Sequence, residues 1–146
     1  MRAMYLLDTN VISELVRPRP NTDAVHMIMK NQGVSAIAAV VWGECLYGVK
    51  RLPESERKYA LSDFYLNTVR EFYPIVPFDG HAAAIYSDIR SRLERSGHPA
   101  PELDMQIAAT AIANNLVLVT RNTVDFENIR GVSALMVENW FSSRAT

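Results

Sequence analysis

Cysteine is nearly absent. Cys45 stands alone, so an intrachain disulfide is impossible and the multi-cysteine ligand sets of structural zinc sites are excluded. Histidine is scarce as well: His26, His81 and His98 lie too far apart to form a local His-x-x-x-His pair, so any metal must be held mainly by oxygen. No segment approaches the roughly 20 apolar residues of a membrane span, and no basic lead precedes an apolar run of secretory length. A soluble, cytoplasmic protein is therefore expected. No Gly-rich loop ends in Lys-Ser or Lys-Thr, which sets aside phosphate-binding-loop enzymes. An excess of positive charge is lacking too, since 15 Lys and Arg face 16 Asp and Glu. Acids sitting on bound cations would leave a basic surplus, so this balance permits a nucleic-acid partner without arguing for one.

What is present is a chain of 146 residues, 49% of them hydrophobic, which suits one compact domain over residues 1–146. Met4-Tyr5-Leu6-Leu7 reads as a buried strand running into the helix-start cluster Asp8-Thr9-Asn10, with a helix over Val11 to Val16. Pro18 and Pro20 break it. Further helices are predicted over Asp23–Lys30, Ala38–Leu52, Glu54–Phe72, Asp79–Ser96 and Glu102–Asn114. Short strands are predicted at Gly33–Ser35, Tyr73–Phe78, Leu116–Thr120 and Ala134–Val137. Alternating strands and helices predict an α/β fold, a sandwich around a mostly parallel sheet.

Carboxylates carry the chemistry. Ligands of parallel sheets gather beyond the carboxyl ends of the strands, where Asp8 and the run Thr120-Arg121-Asn122, leading to Asp125, fall. Asp8 reads equally as a helix cap or a metal ligand. Val40, Val41 and Gly48 bracket Glu44 at helical offsets, which puts Glu44 on or beside the packing face; its plainer reading is a Glu at the edge of that stripe or one paired with an arginine. Asp104, with Ile107, Ala108 and Ala111 at offsets three, four and seven, repeats the pattern near a helix start, where a cap is the alternative. Three inward acids on separate elements repel unless a cation lies between them, and oxygen ligands suit Mg2+ or Mn2+. Phosphodiester hydrolysis is the matching chemistry.

Four segments then resemble, in order, the motifs of PIN-domain proteins, in particular the VapC-like toxins of bacterial toxin–antitoxin pairs. They are Leu6-Leu7-Asp8-Thr9-Asn10-Val11-Ile12-Ser13-Glu14-Leu15, Val41-Trp42-Gly43-Glu44-Cys45-Leu46-Tyr47-Gly48, Asp104-Met105-Gln106-Ile107-Ala108-Ala109-Thr110-Ala111 and Leu118-Val119-Thr120-Arg121-Asn122-Thr123-Val124-Asp125-Phe126, with Asn139-Trp140 similar to the usual ending. The resemblance implies a three-layer α/β/α sandwich, Mg2+-dependent endoribonuclease activity, neutralisation by a small antitoxin protein and a homodimer. It implies Asp8, Glu44 and Asp104 as the acidic core, with Asp8 and Asp104 the direct metal ligands. The family sometimes carries a fourth acid where Asn122 stands here. Asn122 offers a carbonyl oxygen instead, while Asp125 either supplies the charge or caps a short helix before Phe126.

Thr9, Asn10 and Thr120 are expected to orient the acids by hydrogen bonds, or to serve as plain caps. Arg121 reads as a phosphate contact or as a solvated arginine. Arg17, Arg19, Lys50, Arg51, Arg90, Arg92 and Arg95 are candidates to rim an RNA groove. Trp42, Tyr47 and Tyr65 read as core, or as a dimer or antitoxin surface. Two alternatives stand beside the nuclease: a non-catalytic module binding RNA or protein, and a haloacid dehalogenase-like phosphatase with Asp8 as phosphoryl acceptor. The latter expects an aspartate at Asn10.

Overall fold

The computed structural model describes residues 2–141. Strands β1 (Tyr5–Leu7), β2 (Ser35–Ala38), β3 (Ile75–Val76), β4 (Val117–Val119) and β5 (Val137–Glu138) form one parallel sheet in the order β3-β2-β1-β4-β5. Central β1 sets Tyr5 against Ser35 on one side and against Val117 on the other. Parallel neighbours need crossovers, and helices supply them. Helices α1 (Thr9–Ile12) and α2 (Thr22–Lys30) lead to β2, and α3 (Ala39–Lys50), α4 (Glu56–Asp63) and α5 (Arg70–Phe72) lead to β3. The long α6 (Gly80–Ser96) and α7 (Glu102–Ala113) then cross to β4, and α8 (Glu127–Gly131) leads to β5. The direction of winding reverses at β1, so right-handed crossovers put the helices on both faces of the sheet and give the three layers expected.

Local chemistry sets the helix ends. Asp79 accepts from Ala82 N–H at 3.0 Å and caps α6, and Gly97 ends that helix with a φ of 75°. Asn115 turns the chain after α7 with a φ of 55°, a conformation asparagine tolerates. Asn21, after the two prolines, caps α2 by accepting from Ala24 N–H at 3.0 Å.

Several boundaries differ from the sequence reading. Gln32–Val34 is a 3-10 turn, and β2 begins where the predicted strand ended. Every β2 residue is buried, so it lacks the alternation that marks a half-buried strand and merges with the apolar start of α3. The first helix tightens to 3-10 geometry over Ser13–Val16. The predicted Glu54–Phe72 helix starts later, capped by Ser55, and widens into a π-helical turn over Phe64–Val69 that brings Tyr65 and Val69 inward. The last strand is Val137–Glu138 rather than Ala134–Val137. The core gathers Leu6, Leu7, Ile12, Ile37, Ile107, Leu118 and Phe126 around β1, all at 1% exposure or less.

Candidate active site

β1 and β4 end side by side, and their crossovers depart in opposite directions, which leaves a cleft between them. Asp8 follows β1, fixed by its own N–H donating to Val119 O at 2.9 Å. Its Oδ1 accepts from Thr9 N–H at 2.8 Å, capping α1, and its Oδ2 accepts from the Thr120 hydroxyl at 2.8 Å. Both readings of Asp8 are therefore compatible in one side chain: each oxygen holds one hydrogen bond and keeps lone-pair capacity for a cation. Thr120 is fully buried after β4, and its Oγ1 also accepts from Asn10 Nδ2 at 3.3 Å and from Asn122 N–H at 3.1 Å. Asn10 Oδ1 accepts from Arg121 N–H at 3.0 Å. The network stitches the ends of the two central strands together and fixes the Asp8 carboxylate.

Asp104 lies in the first turn of α7, whose packing face is the predicted one, with Ile107, Ala108 and Ala111 buried. It does not cap: Pro101 holds that position without a side-chain hydrogen bond. Burial, and then the charges of Asp8 and Asp125, push the Asp104 carboxyl up to about 6. Asp8 is raised as well, by burial foremost, with the Asp125 charge adding to it against the lowering hydrogen bonds from Thr120 and Thr9. Three aspartates from three segments thus share one electrostatic environment. Asp125 sits inside the 3-10 turn Thr123–Phe126 and caps neither that turn nor α8, which corrects its reading as a cap.

Other expectations fare differently. Val41, Cys45 and Val49 form the buried face of α3, so Glu44 stands beside that face and is exposed. It borders a groove of about 380 Å3 together with Thr9, Ser13, Arg17, Gly48 and Tyr65. Among the described residues no three His, Cys, Asp or Glu side chains lie close enough together to hold a metal ion, so the expected set of Asp8, Glu44 and Asp104 does not close around one point, Glu44 being turned out of the buried face of α3. The oxygen donors that do share one environment, the Asp8 and Asp104 carboxylates, are of the type that suits a hard ion such as Mg2+ rather than Zn2+. Asn122 contributes its backbone N–H to Thr120, while its side chain is exposed. The basic residues do not rim one groove. Arg17 borders the groove beside Glu44 and pairs with Glu14 at 3.4 Å, whereas Arg92 and Arg95 line a separate concavity with Gly131–Ala134. Tyr65 is core, Trp42 is half-buried against it, and Tyr47 is 62% exposed rather than core.

Glu14 lies within the first motif, where spacing gives it no role. It is 2% exposed, and its Oε2 accepts from Asn21 N–H at 2.6 Å, tying down the double-proline turn. Phe141 is a second residue that the sequence does not single out: the Arg121 guanidinium lies over its ring, 4.8 Å from the centroid. Nothing local could have signalled it, since the two residues are far apart in sequence.

The model of the PIN domain family matches residues 5–132. The chain belongs to the PIN-domain family. Ribonuclease VapC2 of Rickettsia felis is 30% identical over 94% of this chain and 98% of its own length. Toxin FitB of Neisseria gonorrhoeae is 37% identical over 84% and 91%. Among solved structures, FitAcB from Neisseria gonorrhoeae superposes with a TM-score of 0.84 at 34% identity, covering 93% of this chain and 97% of that one. VapBC2 from Rickettsia felis, bound to a DNA fragment from its promoter, gives 0.74 at 28% identity over 96% and 99%. Membership sets the phosphatase reading aside, and Asn10 agrees: its amide is spent on Thr120 and Arg121. PIN-domain ribonucleases in general depend on divalent metal. Among the described residues no helix is long and apolar enough to cross a membrane.

Proposed function

We propose that this PIN-domain protein is a cytoplasmic, Mg2+-dependent endoribonuclease, the toxin of a toxin–antitoxin pair. One observation carries the reading: Asp8, fixed at the end of β1 by Thr9 and Thr120, and Asp104, in the first turn of α7, come from separate elements yet lie near enough for the charge of Asp8 to act on Asp104. Asp8 and Asp104 would hold the ion, with Mn2+ an acceptable substitute and Asp125 adding charge nearby. Bound there, the ion supplies a water of lowered pKa and a counter-charge for the phosphate.

The chain's own residues do the rest. Thr120 keeps the Asp8 carboxylate in one orientation, and Asn10 holds Thr120 in turn. Glu44, exposed at the groove rim, is free to accept a proton from an attacking water. The Asn122 side chain, exposed beside Thr120, offers a carbonyl oxygen to the entering strand or its water. Relatives named ribonuclease and toxin support an RNA substrate, neighbours solved as toxin–antitoxin complexes support a small cognate antitoxin, and a homodimer completes the proposal.

The test is Mg2+- and Mn2+-dependent cleavage of an RNA pool by the protein and its Asp8→Ala, Asp104→Ala and Glu44→Ala variants. Each is expected to stay folded and to lose activity by more than roughly a hundredfold, beyond what losing a supporting hydrogen bond produces. A folded Asp8→Ala protein that cuts RNA at the original rate removes the proposal. A wild-type protein that binds RNA but cuts none with either metal is a binding module instead.

A further inference from the structure

Residues 139–141, directly after β5, pack back on the sheet. Trp140 is 5% exposed, donates its indole N–H to Glu138 at 3.0 Å and meets Tyr5 edge-on at 5.0 Å. The next residue turns back, Phe141 N–H donating to Asn139 Oδ1 at 2.8 Å. The turn delivers the Phe141 ring to the Arg121 guanidinium. β4 and β5 are parallel neighbours, so Arg121 and Phe141 both lie past the carboxyl edge of the sheet, the edge that carries Asp8. Arg121 is also held at its backbone, through Asn10 and Thr120, to the Asp8 carboxylate. Among the described residues no carboxylate pairs with it.

We propose that Arg121 is a phosphate-binding arm for the RNA strand and that Phe141 is the positioning residue that holds it ready. Stacking occupies the flat face of a guanidinium and leaves its in-plane N–H donors free, and those donors match phosphate oxygens two at a time. A ring beneath the side chain therefore orders it without consuming what the substrate needs. The site has a use for such an arm. Without the ion, Asp8, Asp104 and Asp125 make the cleft electronegative, and a cation that pairs with no carboxylate among the described residues helps draw a polyanion to it. This inference rests on the ribonuclease reading and concerns how that site engages its substrate.

The experiment measures binding of a labelled single-stranded RNA in EDTA across a salt series, alongside steady-state cleavage in Mg2+. Arg121→Ala is expected to raise Kd and KM with kcat little changed, and to flatten the slope of log Kd against log salt by about 0.7, one single-strand phosphate contact. Phe141→Ala is expected to weaken binding about two- to fivefold, the size of an exposed cation–π contact, and Phe141→Trp to restore it. In the Arg121→Ala background, Phe141→Ala is expected to add nothing, because the arm it serves is gone. Additive losses, or an Arg121→Ala protein with the wild-type salt slope, overturn the proposal while leaving the nuclease intact. A wild-type protein that neither binds nor cuts RNA overturns both readings together.

Discussion

Replacing Asp104 by asparagine removes one negative charge from a half-buried position while keeping its shape, and the metal-free protein is expected to become more stable as it loses activity. An ordinary aspartate titrates near 3.8 and Asp104 near 6, so about two pH units separate the unfolded and folded states. At about 1.36 kcal/mol per unit that is about 3 kcal/mol, which solvent screening of a partly exposed group reduces to about 1 kcal/mol. The sign follows from proton binding. The folded state holds its proton more tightly, so stability from this group is complete below about pH 3.8 and is lost as the pH rises through about 6. Asparagine carries no such loss. In EDTA near pH 7.5 the variant is expected to melt about 2–4 °C above the wild type, and near pH 5 the gap is expected to shrink by about half. Adding Mg2+ raises only the wild type, because a ligand stabilises the state that binds it. Calorimetry at the two pH values, with and without Mg2+, measures all three quantities. An Asp104→Asn protein no more stable than wild type in EDTA at neutral pH, or a gap that ignores pH, refutes the electrostatic reasoning.

Other perturbations probe separate parts of the molecule. Glu14→Ala removes the carboxylate that accepts from the buried Asn21 N–H and loosens the double-proline turn, so chemical denaturation should show a loss of about 1–3 kcal/mol. Tyr73→Phe removes a buried hydroxyl without a partner among the described residues and is expected to be neutral or stabilising by about 1 kcal/mol in the same assay. Thr120→Val deletes the donor that lowers the Asp8 carboxyl, so the acid limb of the cleavage pH profile should move to higher pH with the fold retained. Cys45, buried and pushed up to about 12, should resist a thiol reagent at neutral pH until the protein is unfolded.

The chain announces its fold where periodicity is clean and hides it where burial is complete. Leu116–Val119 and the long α6, capped by Asp79 and ended by Gly97, are legible because apolar spacing and end residues agree. β2 is hidden because Ala36, Ile37 and Ala38 are buried on both faces and read as the start of the next helix. The acids show the same division. Asp104 is legible from its helical neighbours, and Asp8 from its place after an apolar strand. The company Asp125 keeps with them depends on a turn whose geometry no local pattern encodes. Glu44 stands on the predicted element but outside the buried face, because Cys45 and Val49, not Gly48, carry the packing. Contacts that join distant segments, such as Arg121 with Phe141, leave no trace in spacing at all.

Placing β1 between β2 and β4 has a consequence in time. The hydroxyl that orients Asp8 comes from a residue 112 positions later. At translation speeds of about 5–20 residues per second, roughly 6–22 s pass between the synthesis of Asp8 and that of Thr120. Throughout that interval the nascent chain carries its acids on unjoined pieces. A chain that stops before the fourth strand lacks the hydroxyl that orients Asp8, so the two central strand ends are joined only after β4 has been made.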